Sequence, residues 1–500
     1  MTISTLHPDR VELEQIDLYI DGQARPAGSG ARYPSDDPYT GRPWAEVADA
    51  NEDDVDAAVQ SAHRALNGPW GDLTATARGK LLLRLAELIE DNAQELAQLE
   101  TRDNGKLLRE MAGQARALPS WFSYYGGLAD KVQGSVIPLD RKDFLVYTES
   151  HPIGVVAAIT PWNSPLLLLT WKLAPALAAG CTVVVKPSDY TPASTVRLAE
   201  LVTEAGIPEG VVNVVTGFGP TVGKALTSHP LISKIAFTGS TEVGKAVART
   251  AAERVTRTTL ELGGKSAQIV FPDADIEAAA NGVIAGIFSA SGQTCMAGSR
   301  LLVHSSVAEE LVQKVVERAK TVVLGDPSTP TTEMGPLAND RQYAKVLDHF
   351  KWAVEDGATI ACGGKPADGL GGYFVEPTVL TNLPKDARAL TQEIFGPVLS
   401  VMTFESESEA IEVANGTEFG LAGSVWTRDI ARGHRVAGKL RAGSVWVNSY
   451  RTVAPQVPFG GFGQSGLGRE SGIEAIGSYQ ETKAIWVELS GETRDPFTIG

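Results

Sequence analysis

From Ile153 onward the chain alternates two apolar patterns. Short β-branched runs, IGVVAAIT (153–160), TVVVK (182–186), VVNVV (211–215) and SKIAFT (233–238), are separated by longer stretches with helical character, PLLLLTWKLAPALAAG (165–180) and PASTVRLAELVTEAG (192–206). Continuous apolar runs of this length mark strands buried on both faces, and their alternation with helices predicts βαβ units around a mostly parallel sheet. LELGGKSAQIVF (260–271) ends this series and DADIEAAANGVIAGIF (273–288) opens a second. RLLVHS, VAEELVQKVVERAK and SVWVNS extend it, predicting another α/β unit over 264–477. The first ~130 residues read as mainly helical: Asp53 and Asp54 precede DAAVQSAHRAL, and Leu82, Leu85, Leu88 and Ile89 recur at helical spacing. VQGSVIPLDRKDFLVYTESHP (132–152) alternates instead as a hairpin or exposed strand pair, whose edge suits a contact between copies.

At 500 residues, two or three domains are expected. Hydrophobic residues at 43% and charged residues at 21% describe an ordinary globular chain rather than a disordered one. A net charge of −16 opposes general attraction to nucleic acid or anionic lipid, so any phosphate ligand has to be held locally. No basic stretch followed by an apolar core opens the chain, so no secretory signal is expected. The uncharged run 278–299 contains Asn281, Gln293 and several serines, which predicts a buried helix and loop rather than a membrane span. Three cysteines make no disulfide framework, and a reducing, cytoplasmic setting follows as the expectation. No metal-ligand cluster is visible.

Two loops have the composition to hold a dinucleotide. GFGPTVG, with Gly217, Gly219 and Gly223, follows a strand-like run, but its GxGxxxG spacing departs from the GxGxxG turn, and it reads equally as a plain strand-to-helix turn. FTGSTEVGKAV is better placed: the strand ends at Thr238, Gly239 turns the chain, and Ser240 and Thr241 can cap a helix whose free N–H groups face a pyrophosphate. Lys186 and Asp189, at a strand end, can meet phosphate and ribose hydroxyls, or be solvated loop charges.

Cys295 lies in SASGQTCMAGSR between Gly292 and Gly298, an arrangement suited to bringing backbone N–H groups and a ligand near the sulfur. Cys181 and Cys362 adjoin strand-like runs and read as buried thiols. A nucleophilic cysteine usually needs a base, yet His7, His63, His151, His229, His304, His349 and His434 all lie outside motif-like segments, which counts against a Cys/His hydrolase. Better companions are Glu261 in TLELGGKS, Asn163 in TPWNSP and Glu393 in QEIFGPV, each beside a strand end or a glycine turn.

Together, ITPWNSPLLLLTWKLAPALAAGCTVVVKPSD, FTGSTEVG, LELGGKS, SGQTC, QEIFGPV and PFGGFGQSGLGRE, spread over 159–470, resemble the aldehyde dehydrogenase superfamily in its motif order. The resemblance implies a Rossmann-like cofactor-binding domain (1–131 and 153–263), a second α/β catalytic domain (264–477) and a small β oligomerisation element (132–152 and 478–500). By the same resemblance Cys295 attacks an aldehyde, Asn163 and the Cys295 N–H hold the oxyanion, and Glu261 activates water on the thioester, with Lys172 and Glu470 as a proton relay. Lys186, Ser188 and Asp189 would face the adenosine ribose, with Gly219 and Gly223 nearby, and Gly239 and Ser240 the pyrophosphate. Thr160, Pro161, Trp162, Phe237 and Leu262 would line the cofactor cleft, Glu393 the nicotinamide ribose and Phe395 the nicotinamide.

Some positions depart from the family pattern. Asp189 stands where Glu is frequent; retained negative charge repels a 2′-phosphate and points to NAD, with NADP left open because Asp is shorter. Ser164 and Val453 stand where aromatics are frequent, predicting a roomier pocket for a bulky aromatic or aliphatic aldehyde. Leu167, Trp171, Thr294, Met296 and Phe459 would wall it, and Arg451 would meet a polar or anionic tail or point to solvent. A CoA-acylating dehydrogenase is the nearest alternative, disfavoured by Glu261; a non-catalytic binding protein on the same fold is the other. A homodimer or homotetramer is the expected assembly, with no nucleic acid or membrane partner.

Overall fold

The computed structural model describes residues 13–492 and 495–497. Its first sheet has eight strands. Val155–Ile159 lies inside it, flanked on one side by Thr182–Lys186 and then Val212–Val214, and on the other by Ile232–Thr238 and then Arg257–Glu261, all parallel. The chain thus winds outward from Val155–Ile159 in one direction, then returns and winds outward in the other. Where the order reverses, between Val155–Ile159 and Ile232–Thr238, the loops leaving the two carboxyl ends diverge and open a crevice.

Burial explains the apolar runs. Val183 and Val185 enter the core under the helices, whereas Val184 faces the core on the opposite side of the sheet. A strand packed on both faces has no polar side to alternate with. The helix Pro165–Ala179 is apolar almost all round because it too is covered on nearly every side, and it stops at Gly180, whose φ of +94° favours glycine.

A second sheet of seven strands runs in the order Thr359–Cys362, Thr378–Thr381, Val398–Phe404, Arg300–His304, Ala267–Val270, Ala422–Trp426 and Ser444–Val447, parallel except for the first pair. Leu301 and Val303 feed one of its cores and Leu302 the other. Late in the chain, Gly466–Leu467 crosses back and pairs antiparallel with Leu260 and Glu261 on the edge of the first sheet. A third sheet joins Val136–Ile137, Phe144–Pro152 and Gln480–Glu488, antiparallel, and leaves Val136, Ile137, Leu145, Trp486 and Val487 exposed.

The mainly helical reading of the N-terminal region is incomplete. Helices Glu52–Leu66, Ala75–Asp91, Ala93–Asn104 and Leu108–Leu128 are present, but the strands Glu14–Ile16, Leu18–Ile20, Gln23–Arg25, Arg32–Asp37 and Arg42–Ala48 precede them. Three of these five have only three residues, too few for a period to show. The uncharged run forms the helix Ile276–Ile287 and then a loop, and among the described residues no helix is long and apolar enough to cross a membrane. The N-terminal stretch 1–12 and residues 493, 494 and 498–500, parts of the ranges divided above, lie outside the described residues.

Candidate active site

The crevice leads into a cleft of about 610 Å3 lined by Pro161, Trp162, Asn163, Thr238, Gly239, Ser240, Leu262, Cys295, Glu393 and Phe395, with Gly263, Leu168, Gln342 and Lys345. The loops after Val155–Ile159 and Ile232–Thr238 supply the first six, and the second sheet's unit contributes Cys295, Glu393 and Phe395. Residues far apart in sequence therefore meet only because the two units are docked.

The cysteine loop is backbone-strained. Ala290, Ser291 and Gly292 are consecutive left-handed residues, with φ of 56°, 54° and 70°. Non-glycine residues resist this conformation, so outside contacts have to impose it. They do: Ser291 Oγ donates to the Gly335 carbonyl at 2.8 Å, the Ala338 N–H donates to Gln293 Oε1 at 2.9 Å, and the Ala290 N–H donates to Glu110 Oε1 at 3.0 Å. The flanking glycines serve packing rather than ligand approach. A Cβ on Gly292 would lie 2.1 Å from the Gly396 carbonyl oxygen, and one on Gly298 would lie 2.4 Å from the Gln268 amide nitrogen.

Asn163 is held by this loop, its Nδ2 donating to the Gln293 carbonyl at 3.0 Å. One amide hydrogen remains for a ligand, and the Cys295 N–H donates to no acceptor among the described residues. Two donors beside one sulfur are the arrangement that stabilises an oxyanion forming on an adjacent carbon. The thiol itself is pushed up to about 12, first by burial and then by the carboxylates of Glu261 and Glu393.

Glu261, the last residue of its strand, is buried with both carboxylate oxygens unpartnered. Its pKa is raised, chiefly by desolvation and then by Glu470. It stands behind the cleft wall rather than in it, with Oε1 only 2.7 Å from where a Cβ on Gly460 would be. Close by, buried Lys172 donates to Thr238 Oγ1 at 2.5 Å and to Glu470 Oε1. Lys172 is thus bonded to Glu470, and Glu261 feels the charges of Lys172 and Arg469 without a hydrogen bond to either.

On the opposite wall, Glu393 accepts from the Gly264 N–H at 2.8 Å. The glycine pair in LELGGKS makes this docking possible: a Cβ on Gly263 would lie 2.3 Å from Glu393 Oε2, and one on Gly264 would lie 2.7 Å from the Cys295 carbonyl. Phe395 adopts φ +60° and meets Trp162 edge-on, ring centres 5.2 Å apart. Gln342 secures it, donating to the carbonyls of Ile394 at 2.9 Å and Phe395 at 2.8 Å.

Ser240 caps the helix Thr241–Ala252 by accepting from the Val243 N–H at 3.3 Å, so the N–H groups at the helix start face the cleft side occupied by Gly239. Phe237 packs beneath that turn: a Cβ on Gly239 would touch its ring at 2.5 Å. Thr160 is buried, its N–H donating to the Lys186 carbonyl at 3.1 Å. Lys186 ends its strand with Nζ donating to the Pro187 carbonyl at 2.8 Å; burial pushes it down to about 8, opposed by Asp189 and Asp49. Ser188 Oγ accepts from the Tyr190 N–H. Gly223 stands against the Lys186 side chain, and Gly219 is exposed at the start of the short π-turn Gly219–Gly223, so GFGPTVG is not a tight GxGxxG turn. Helix-terminal N–H donors, the Lys345 ammonium and the Glu393 carboxylate around one elongated cleft make a donor set that fits a dinucleotide's pyrophosphate and ribose.

The substrate-side residues divide. Leu167, Arg451 and Val453 line an open cavity of about 890 Å3 with Glu110 and Trp121. Trp171, Val453 and Phe459 line a second of about 660 Å3, where Trp171 and Phe459 have ring centres 4.9 Å apart. Val453 lines both. Met296 is a core residue whose carbonyl accepts from Tyr450 Oη at 2.6 Å. Ser164 lines neither cavity: its Oγ accepts from the buried Lys106 Nζ at 3.1 Å, so the small side chain makes a polar contact instead of room. Arg451 does not simply point to solvent; it donates to Thr294 Oγ1 and to two backbone carbonyls.

Gln342, Lys345, Lys106 and Glu110 escaped the sequence reading. Each is a single polar residue on or beside a helix, and even Lys106, which follows the helix-ending Gly105, is indistinguishable by pattern from a solvated charge.

A doubly wound sheet whose reversal crevice runs up to a loop-borne cysteine defines a two-unit α/β protein with a dinucleotide-type cleft. Comparison with known proteins places it more closely. The aldehyde dehydrogenase family model matches residues 25–485, and the chain belongs to that family. It is 46% identical to the (Z)-2-((N-methylformamido)methylene)-5-hydroxybutyrolactone dehydrogenase of Acinetobacter baylyi, covering 97% of this chain and 100% of that protein. It is also 44% identical to human retinal dehydrogenase 2, over 96% of this chain and 93% of the relative. The NAD+ complex of the Bacillus cereus aldehyde dehydrogenase superposes with a TM-score of 0.94 at 45% identity, covering 95% of this chain and 97% of that one.

Proposed function

We propose that this chain oxidises an aldehyde to the carboxylic acid with NAD as acceptor. The observation that carries the reading is the pair of unengaged donors, the second Asn163 amide hydrogen and the Cys295 N–H, beside the cleft-lining sulfur. Cys295 gives up its thiol proton to solvent, Sγ bonds as the thiolate to the aldehyde carbon, and those donors hold the resulting oxyanion, each worth about 3–4 kcal/mol in the transition state. NAD, when bound, supplies the hydride acceptor, leaving a thioester on Cys295. Glu261 then takes a proton from the water that attacks the thioester, and the high pKa given by its burial makes its carboxylate a stronger base than an ordinary one. Lys172 and Glu470 receive that proton beyond it.

For the cofactor, Gly239 and Ser240 hold the pyrophosphate, Glu393 the nicotinamide ribose, and Lys186 with Asp189 the adenosine ribose. Asp189 and Asp49 place negative charge beside Lys186, which favours NAD over NADP. The units 1–131 with 153–263 and 264–477 divide cofactor binding from the nucleophile. The third sheet, which falls within the expected oligomerisation element (132–152 and 478–500), joins copies into a homo-oligomer. Three free thiols suit the cytoplasm. A bulky aldehyde is the preferred substrate class, a reading supported by Val453.

Rapid-quench kinetics test the mechanism. Cys295→Ala should abolish turnover, while Glu261→Gln should release a first equivalent of NADH at near-normal rate and then slow at thioester hydrolysis. Normal steady-state turnover by Glu261→Gln would remove Glu261 from its role. An aldehyde panel in which acetaldehyde has the highest kcat/KM would overturn the preference for bulk.

A further inference from the structure

Arg451 is a charged group of the substrate side with N–H donors left over. Its residue sits at φ +67° after the strand Ser444–Val447, a conformation that turns the side chain under the cysteine loop. Nη1 donates to the carbonyls of Ala285 at 3.0 Å and Ser289 at 3.4 Å, and Nη2 donates to Thr294 Oγ1 at 3.1 Å. All three acceptors are neutral, and among the described residues no carboxylate lies within ion-pair distance of the guanidinium. Nε and one Nη2 hydrogen are left over. These two N–H groups form one edge of the planar fork, the geometry that meets both oxygens of a carboxylate.

The surroundings locate that edge. Thr294 adjoins the nucleophile in the chain, while Arg451 also lines the open cavity with Leu167 and Val453. The guanidinium is therefore bonded to the residue next to the nucleophile and also lines the open cavity. Glu110 lines the same cavity, but its Oε1 is committed to the Ala290 N–H, and buried Lys106, bonded to Ser164, offsets its charge. Arg451 is thus the cation among the residues lining this cavity, and Glu110, whose Oε2 is buried without a partner, makes no ion pair with it. A solvated surface arginine has no need of three anchoring bonds.

We infer that Arg451 selects aldehydes bearing a second, anionic end: its free fork edge binds the carboxylate of an oxo acid whose aldehyde is at Cys295. This deepens, and rests on, the aldehyde-oxidising reading. Oxidation of such a substrate removes two electrons and adds the oxygen of water at the aldehyde carbon, so the product is a dicarboxylate, with NAD as the acceptor.

The test compares ω-oxo carboxylates of increasing chain length with their methyl esters, which keep the shape and remove the charge. The intact enzyme should favour the acid over the ester by at least about tenfold in kcat/KM at the best length, the value of one charge-assisted hydrogen-bond set. Arg451→Met should bring the ratio near one through KM, and Arg451→Lys should restore part of it. Dicarboxylate product should also protect Cys295 from alkylation in the absence of cofactor, and do so less in Arg451→Met. The ratio within one protein carries the reading, so general damage to the loop does not mimic it. An acid-to-ester ratio of one in the intact enzyme, or a ratio unchanged by Arg451→Met, overturns the inference and leaves aldehyde oxidation standing. Failure to oxidise either substrate series or any simple aldehyde overturns both.

Discussion

The thiol of Cys295 is poorly ionised in the free protein, first because of desolvation and then because of the charges of Glu261 and Glu393. A pKa pushed up to about 12 means the alkylation rate of the cofactor-free enzyme should climb with pH throughout the range from 7 to 10, without a plateau. The sign of the Glu261 effect follows: its negative charge raises the thiol pKa, so Glu261→Gln should lower it and speed iodoacetamide labelling at a fixed pH near 8. Slower labelling would make Glu261 the base for the thiol instead. Lys172 gives a second test at this scale. Removing one partner of a buried ion pair strands the other, at about 3–5 kcal/mol. Lys172→Met should therefore lose about that much in denaturant unfolding, and the burden falls on Glu470. A loss below about 1 kcal/mol would show that Glu470 takes up a proton and does without its partner.

Among the elements, the loop 289–295 and the turn after Glu393 support each other. Gly292→Ala would strain a left-handed residue and drive a Cβ into the Gly396 carbonyl. The expected cost is about 1–3 kcal/mol, read as a lower Tm, with a larger fall in kcat because Cys295 and Glu393 move relative to each other. A variant with unchanged Tm and kcat would show that the loop yields freely. What the sequence disclosed follows the same lines. Asn163, Glu261 and Cys295 stood out because each sits near a strand end or between glycines, while their roles came only from the family resemblance of the motifs that carry them. Their partners did not: Gln342 fixes Phe395 from a helix whose spacing marks only which face is apolar, and nothing local distinguishes Lys106 from a solvent-facing lysine. Ser164 shows the reverse error, where a small residue read as empty space is a hydrogen-bond acceptor.

For the molecule as a whole, the continuous apolar runs of both sheets gave away the architecture through their shortness, β-branched composition and alternation with longer helical stretches, since burial on two faces removes the period itself. The three-residue strands near the N-terminus did not, since Leu18–Ile20 joins the first sheet only through a partner almost two hundred positions away, Tyr19 facing Val214. The third sheet carries a whole-molecule prediction. Trp486 and Val136 are 58% and 72% exposed on the two outer strands that flank Phe144–Pro152, and large exposed apolar side chains grouped on one small sheet mark a contact surface. Trp486→Glu should shift sedimentation velocity from an oligomer toward a smaller species; an unchanged coefficient would place the contact elsewhere.

The strand Gly466–Leu467 closes the edge of the sheet that ends in Glu261, yet it is synthesised long after that edge exists. A growing chain on the ribosome thus holds a half-finished cofactor unit with an open seam for much of its synthesis. Early termination before residue 466 would leave that seam permanently bare, and such fragments should be captured by chaperones or precipitate rather than persist as partial cofactor binders.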